Sequence, residues 1–111
     1  MRKLTIDRKV WFRGSMFGSR LLRDDEKMCC LGIYLESCGV KREDLLKKLS
    51  PKSLIANIPM EAQWLIERDS NSDLAKYLIE VNDNESFSDQ EREHDLILFF
   101  AQAEVEVEFT N

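Results

Sequence analysis

The segment Glu104-Val-Glu-Val-Glu-Phe109 alternates acidic and apolar residues without a break. It puts Val105, Val107 and Phe109 on one face of an extended chain and Glu104, Glu106 and Glu108 on the other, the period-two signature of a half-buried strand. Near the other end, Leu4 and Ile6 alternate with Lys3, Thr5 and Asp7 in a shorter copy of the pattern. Two strands at opposite ends of a 111-residue chain can pair only if the middle folds back between them. An antiparallel pair is expected, with Lys3 opposite one of the glutamates contributing roughly 0.2–1 kcal/mol.

The middle reads as helices. From Met28 to Cys38, residues Leu31, Tyr34, Leu35 and Cys38 recur at helical spacing, and Gly39 stands where a left-handed cap would close the helix. Gly32 inside it costs about 1 kcal/mol against alanine, which signals close packing at that point. Leu45, Leu46 and Leu49 mark a second helix over 42–49, after which Ser50-Pro51 supplies a cap and a first-turn proline. Pro59 opens a helical segment carrying Trp64, Leu65 and Ile66. From Ser72, residues Leu74, Leu78 and Val81 form a stripe with Ala75 and Ile79 beside it, and Asn82-Asp-Asn-Glu85 ends that helix. Ser88-Asp-Gln-Glu91 is a capping box that opens the last helix, whose apolar block 96–101 argues for burial on most sides. Arg8 to Lys27 is polar and contains glycine, a loop with one ordered piece at Val10-Trp-Phe12. The expected fold class is therefore α+β, a small antiparallel sheet from the N- and C-terminal strands packed against four or five helices, in one domain over 1–111.

Composition narrows the class. Hydrophobic residues at 43% and charged residues at 33% are globular proportions. The longest apolar run, 96–101, is far short of the ~20 residues that span a bilayer, so no membrane partner is expected. Met1 to Asp7 has no apolar stretch before the next charges, so no signal peptide is expected. Cys29, Cys30 and Cys38 are odd in number with two adjacent, which suits a reduced, cytoplasmic setting better than a disulfide framework.

Chemistry-bearing motifs are sparse. The spacing CC-x7-C with a single distant His94 does not supply the paired ligands of a zinc site, and Cys29 and Cys30 read as buried apolar residues. The stretch 82–93 can be laid on a calcium loop, but Phe87 falls where that loop needs glycine, and Asn82, Asn84 and Ser86 at ligand positions 1, 3 and 5 supply no carboxylate. His94 reads as a solvated helix residue, and neither phosphate-binding glycine signature occurs. The expectation is no enzyme, no metal and no cofactor.

What remains is the distribution of charge. Residues 1–52 carry 13 Lys/Arg against 7 Asp/Glu, a net +6, whereas 53–111 carry 3 against 14, a net −11, for the total of −5. A single-signed half steers partners of opposite sign and repels polyanions. The expected partner-binding carboxylates are Asp69, Asp73, Glu80, Asp83, Glu85, Asp89, Glu91, Asp95 and Glu106. They present a field like that of a phosphate backbone, suited to a protein with a basic surface, although the same residues would also serve solubility alone. An alternative site of another class is the cluster of Trp11, Arg13, Arg20 and Arg23, since guanidiniums and aromatic faces suit a nucleotide. Asp24-Asp-Glu26 interrupts that basic stretch, so direct nucleic-acid binding is not expected.

Asp7-Arg-Lys-Val-Trp-Phe-Arg-Gly14, then Leu21-Leu22, Lys27-Met-Cys-Cys-Leu-Gly32 and Cys38-Gly39, with Trp64-Leu65, Val81-Asn82-Asp83 and Arg92-Glu93 later, resembles a set of small phage and prophage accessory proteins. The resemblance spans most of the chain and carries over no catalytic residue. It implies a protein made inside an infected or lysogenic bacterium, similar in size and charge to inhibitors of host defence, anti-CRISPR proteins among them. The expected function is thus a non-enzymatic accessory protein that binds and blocks a host protein through its acidic surface.

Overall fold

The structure is a computed structural model that describes residues 2–48, 58–66 and 70–111, with the backbone alone at 70–72. In chain order it holds β1 (Arg2–Asp7), α1 (Cys30–Ser37), α2 (Arg42–Leu45), a 3-10 turn (Met60–Leu65), α3 (Ser70–Asp83), α4 (Asp89–Ala101) and β2 (Val105–Thr110). The terminal strands form a two-stranded sheet, and their alternation is as the sequence implies. Leu4, Ile6, Val105 and Val107 are buried, with Phe109 packed beside them, while Glu104, Glu106 and Glu108 are exposed.

The strands run parallel, from Arg2 opposite Val105 to Asp7 opposite Thr110, which corrects the expected antiparallel pairing. Alternation reads the same in both directions, so it cannot choose between them. After α4 the chain turns back at 102–104 and lays β2 along that helix, and β1 lies beside β2 in the same direction. Parallel pairing then brings the end of β1 to the first half of α4. There Arg8 grips Glu93 through two 2.8 Å hydrogen bonds, Nε to Oε2 and Nη2 to Oε1, and its backbone N–H donates to Thr110. An antiparallel β1 would carry Arg8 to the far end of the sheet. Lys3 does meet a glutamate, with its ammonium 2.9 Å from Glu108.

Helix boundaries follow local chemistry except where tertiary pairing wins. Two backbone bonds, Val40 N–H to Leu35 C=O and Gly39 N–H to Glu36 C=O, close α1 in a Schellman motif, with Gly39 at φ +103°. A Cβ on Gly32 would lie 1.8 Å from the carbonyl oxygen of Leu21, so the close packing is of helix on backbone. The second helix stops at Leu45 instead of continuing to 49. Leu46 forms a bridge with Leu22, Lys47 donates to the Leu22 carbonyl, and Leu21 donates to Lys48. The strand-like pairing satisfies backbone groups on both segments, which one more helical turn would leave open. The expected cap at Ser50-Pro51 lies outside the described residues.

The capping box forms as expected: Glu91 N–H donates to Ser88 Oγ at 3.2 Å, and Ser88 N–H to Glu91 Oε1 at 3.1 Å. Burial of the 96–101 block is narrower than expected. Leu96 and Phe100 enter the core, whereas Ile97, Leu98 and Ala101 are exposed. The core gathers α1, α3, α4 and the inner sheet face, with Tyr34, Trp64 and Phe100 in mutual ring contact at 5.5–6.2 Å. Each fully buried large side chain of this kind contributes roughly 1.5–3 kcal/mol.

Candidate partner-binding surface

Two buried polar side chains organise the candidate face. Asn82, the penultimate residue of α3, is fully buried. Its Oδ1 accepts from Trp11 Nε1 at 2.8 Å and from the backbone N–H of Cys30 at 3.0 Å. Its Nδ2 donates to the Phe12 carbonyl at 3.1 Å and to Asp83 Oδ1 at 2.9 Å, and its own carbonyl accepts from Gly14 N–H at 2.8 Å. One side chain thereby ties the 11–14 segment and the start of α1 to the end of α3.

Arg92, only 2% exposed, does the same for the α3–α4 connection. It donates to the carbonyls of Val81 (3.3 Å), Asn84 (2.6 Å) and Phe87 (3.0 Å) and pairs with Asp89 at 2.6 Å. A cation at the carbonyl end of α3 also interacts favourably with the negative end of the helix dipole. Trp11, Gly14, Cys30, Asn82 and Asp83 share one hydrogen-bonded network, with Arg92 beside Gly14 and Arg8–Glu93 closing the sheet end.

The expected acidic residues divide by role. Asp89 pairs with Arg13 at 3.1 Å as well as with Arg92, and the Arg13 hydrogen bond holds its carboxyl below the usual range. Glu91 is spent on the capping box, whose Ser88 backbone bond lowers its pKa. Asp73 is exposed in the first turn of α3, Asp95 is half-buried on α4, and Glu106 lies on the outer sheet face opposite Lys3. Asp69 lies outside the described residues.

Glu80, Asp83 and Glu85 share one groove. With Ile79, Asn84, Ser86 and Met16 they line a groove of about 430 Å³ at the end of α3. Glu80 and Glu85 are exposed, and none of the three carboxylates is in an ion pair among the described residues. Burial pushes the Asp83 carboxyl up, and hydrogen bonds from Asn82 and Ser19 offset this only in part. The groove thus has a largely apolar lining and a negative rim without an ion-pair partner among the described residues. Its chemistry suits a Lys or Arg side chain, the stem along Met16 and Ile79 and the cation among the carboxylates.

The basic candidates are placed in two different grooves. Trp11 is buried, and the Arg13 guanidinium covers its ring at 4.5 Å while bonding the Arg8 and Trp11 carbonyls. Arg20 and Arg23 line a second groove with Lys47, Asp24 and Asp25. Arg23 stacks on Phe12 at 4.0 Å and pairs with Asp25, Lys47 sits 3.7 Å from Asp24, and Arg20 donates to the Ser19 carbonyl. These cations mostly neutralise their own neighbours.

Cys29 and Cys30 are buried, and burial raises the Cys29 thiol to about 11 and Cys30 well above its ordinary value. Neither is a thiolate nucleophile near neutral pH. His94 is exposed on α4. Among the described residues no three His, Cys, Asp or Glu side chains are grouped to hold a metal ion, and no helix is long and apolar enough to cross a membrane.

Asn82 and Arg92 were absent from the expected site, yet the sequence carries their signal. Leu74, Leu78 and Asn82 are spaced i, i+4, i+8, as are Arg92, Leu96 and Phe100. A polar residue occupying the next position of an apolar stripe is buried by geometry and must find partners. No family model, curated protein or solved structure matches this chain.

Proposed function

We propose that this chain is a non-enzymatic binding protein that occupies a basic surface of a host protein in the cytoplasm of an infected bacterium, and so blocks it. The observation that carries this reading is the groove at the end of α3, which Glu80, Asp83 and Glu85 line together without an ion-pair partner among the described residues. Three carboxylates on one rim add to the negative field of a chain with net charge −5. Such a field raises the association rate with a cationic surface. Asp83, half-buried and held up in pKa by that burial, is stabilised as a carboxylate when a cation arrives. Resemblance to phage accessory proteins supports a host protein as the target.

The test is a charge reversal, Glu80→Lys with Glu85→Lys, measured against the host partner at low and high salt. Both residues are exposed, so the fold should hold. The on-rate should fall at least about tenfold at low salt, and the difference from the unaltered protein should shrink as salt rises. Equal on-rates at every salt concentration overturn the reading.

A further inference from the structure

The segment Gly14-Ser-Met-Phe-Gly18 carries two large apolar side chains out into water: Phe17 is 84% exposed and Met16 72%. Burying such a pair stabilises any protein that can fold its loop inward, and this loop is held so that it does not. At one end Gly14, at φ +76°, donates its N–H to the buried Asn82 carbonyl. At the other, Gly18, at φ +82°, accepts from Arg23 Nη1 at 3.0 Å, and Arg23 is itself stacked on Phe12. Between them the Ser15 hydroxyl donates to the Phe17 carbonyl at 3.1 Å and accepts the Phe17 N–H at 3.2 Å. Both glycines adopt left-handed backbone that a side chain would strain. The tip is therefore displayed in a fixed conformation, the condition under which a protruding aromatic binds with little ordering cost.

We infer that Met16 and Phe17 are the apolar anchor by which this chain docks on its partner, and that the partner offers an apolar pocket bordered by Lys or Arg side chains. The inference rests on the acidic-groove reading above and names the energetic centre of the same interface. Met16 lines the groove of Glu80, Asp83 and Glu85, so anchor and carboxylates form one continuous surface. Charge complementarity selects the occupant: a pocket that admits the tip brings its own border against the carboxylates, and only a cationic border is attracted there. A second copy of this chain would bring its own acidic groove beside the same tip, and an anionic lipid surface would be repelled by it.

The experiment places the photoreactive residue p-benzoylphenylalanine at position 17, and separately at position 16, in bacterial cells, and sequences the cross-linked peptide. The expected adduct is with one protein, at an apolar segment flanked by Lys or Arg. An adduct with a second copy of this chain, an adduct at a segment without cations, or no protein adduct from either position overturns the inference. The protein so identified is then titrated with three variants. Phe17→Ala should weaken binding at least about 30-fold through faster dissociation, with the thermal midpoint unchanged. Gly18→Ala keeps the anchor but places a Cβ 2.7 Å from Arg23 Nη1 and strains the backbone, so it should weaken binding by a smaller factor. Glu80→Lys with Glu85→Lys reports on the acidic groove. If the charge reversal weakens binding and Phe17→Ala does not, the anchor is wrong and the acidic-groove reading stands. If Phe17→Ala weakens binding and the charge reversal does not, the groove reading fails and takes the cationic border with it. No effect from either overturns both.

Discussion

Asn82 ties three separate segments of the chain together through one buried side chain. Replacing it with alanine leaves the Trp11 indole N–H and the Cys30 backbone N–H buried without an acceptor. At about 1–3 kcal/mol for each orphaned group, Asn82→Ala should cost roughly 3 kcal/mol or more, read as a lower urea midpoint. Asp83, next in the chain, is predicted to behave in the opposite sense. Burial raises its folded pKa above the unfolded value, so its contribution to stability is full below the unfolded pKa and is lost as pH rises through the folded one. Asp83→Asn keeps an oxygen to accept from Asn82 Nδ2. It should raise the thermal midpoint near neutral pH by a few degrees at most, and the gain should vanish toward pH 3. Asp89 runs the other way, since Arg13 lowers its pKa. Its stabilisation is present above the unfolded pKa and fades as pH falls through the folded one. A midpoint for Asp83→Asn that falls at neutral pH would show that its hydrogen bonds outweigh its burial.

Elements were legible in proportion to how locally they are determined. The capping box at Ser88, the Gly39 cap and the alternating strands are each settled by residues within a few positions, and each lies where the sequence puts it. Strand direction and the early end of α2 depend on Arg8 reaching Glu93 and on Leu22 pairing with Leu46, contacts that no local window contains. The acidic groove was legible only as composition. Which carboxylates stay free depended on where Arg13 and Arg92 reach, and they claim Asp89. Two comparisons test the elements themselves. Gly32→Ala sets a methyl against the Leu21 carbonyl oxygen, a backbone atom also tied through its neighbours to Lys48 and Cys29, so α1 must shift. A loss of about 3 kcal/mol or more in denaturant unfolding is expected. On β2, Val107→Asp places a charge on the buried face and should cost about 3 kcal/mol or more, while Glu106→Lys on the outer face should stay within about 0.5 kcal/mol. Equal losses for the two would mean that the strand faces are reversed.

At the scale of the molecule, the charge sorting seen in the sequence is partly internal wiring. Arg8 and Arg13, from the basic half, are bound to Glu93 and Asp89 of the acidic half, so the surface field is smaller and more localised than the count of −11 suggests. The sheet that joins the two ends has no third strand among the described residues, so each strand depends on the other. A chain shortened to end at Ala103 should lose its cooperative thermal transition, because Leu4 and Ile6 are left without cover. The parallel pairing also decides how the protein meets force. Pulled apart at Arg2 and Thr110, the two strands must slide along each other, so the load falls on every rung of the ladder at once. Antiparallel partners held at those ends would instead peel open one rung at a time. A protein tethered at these two positions should therefore yield at a markedly higher force than the same protein tethered at Asp7 and Thr110, where the ladder can unzip.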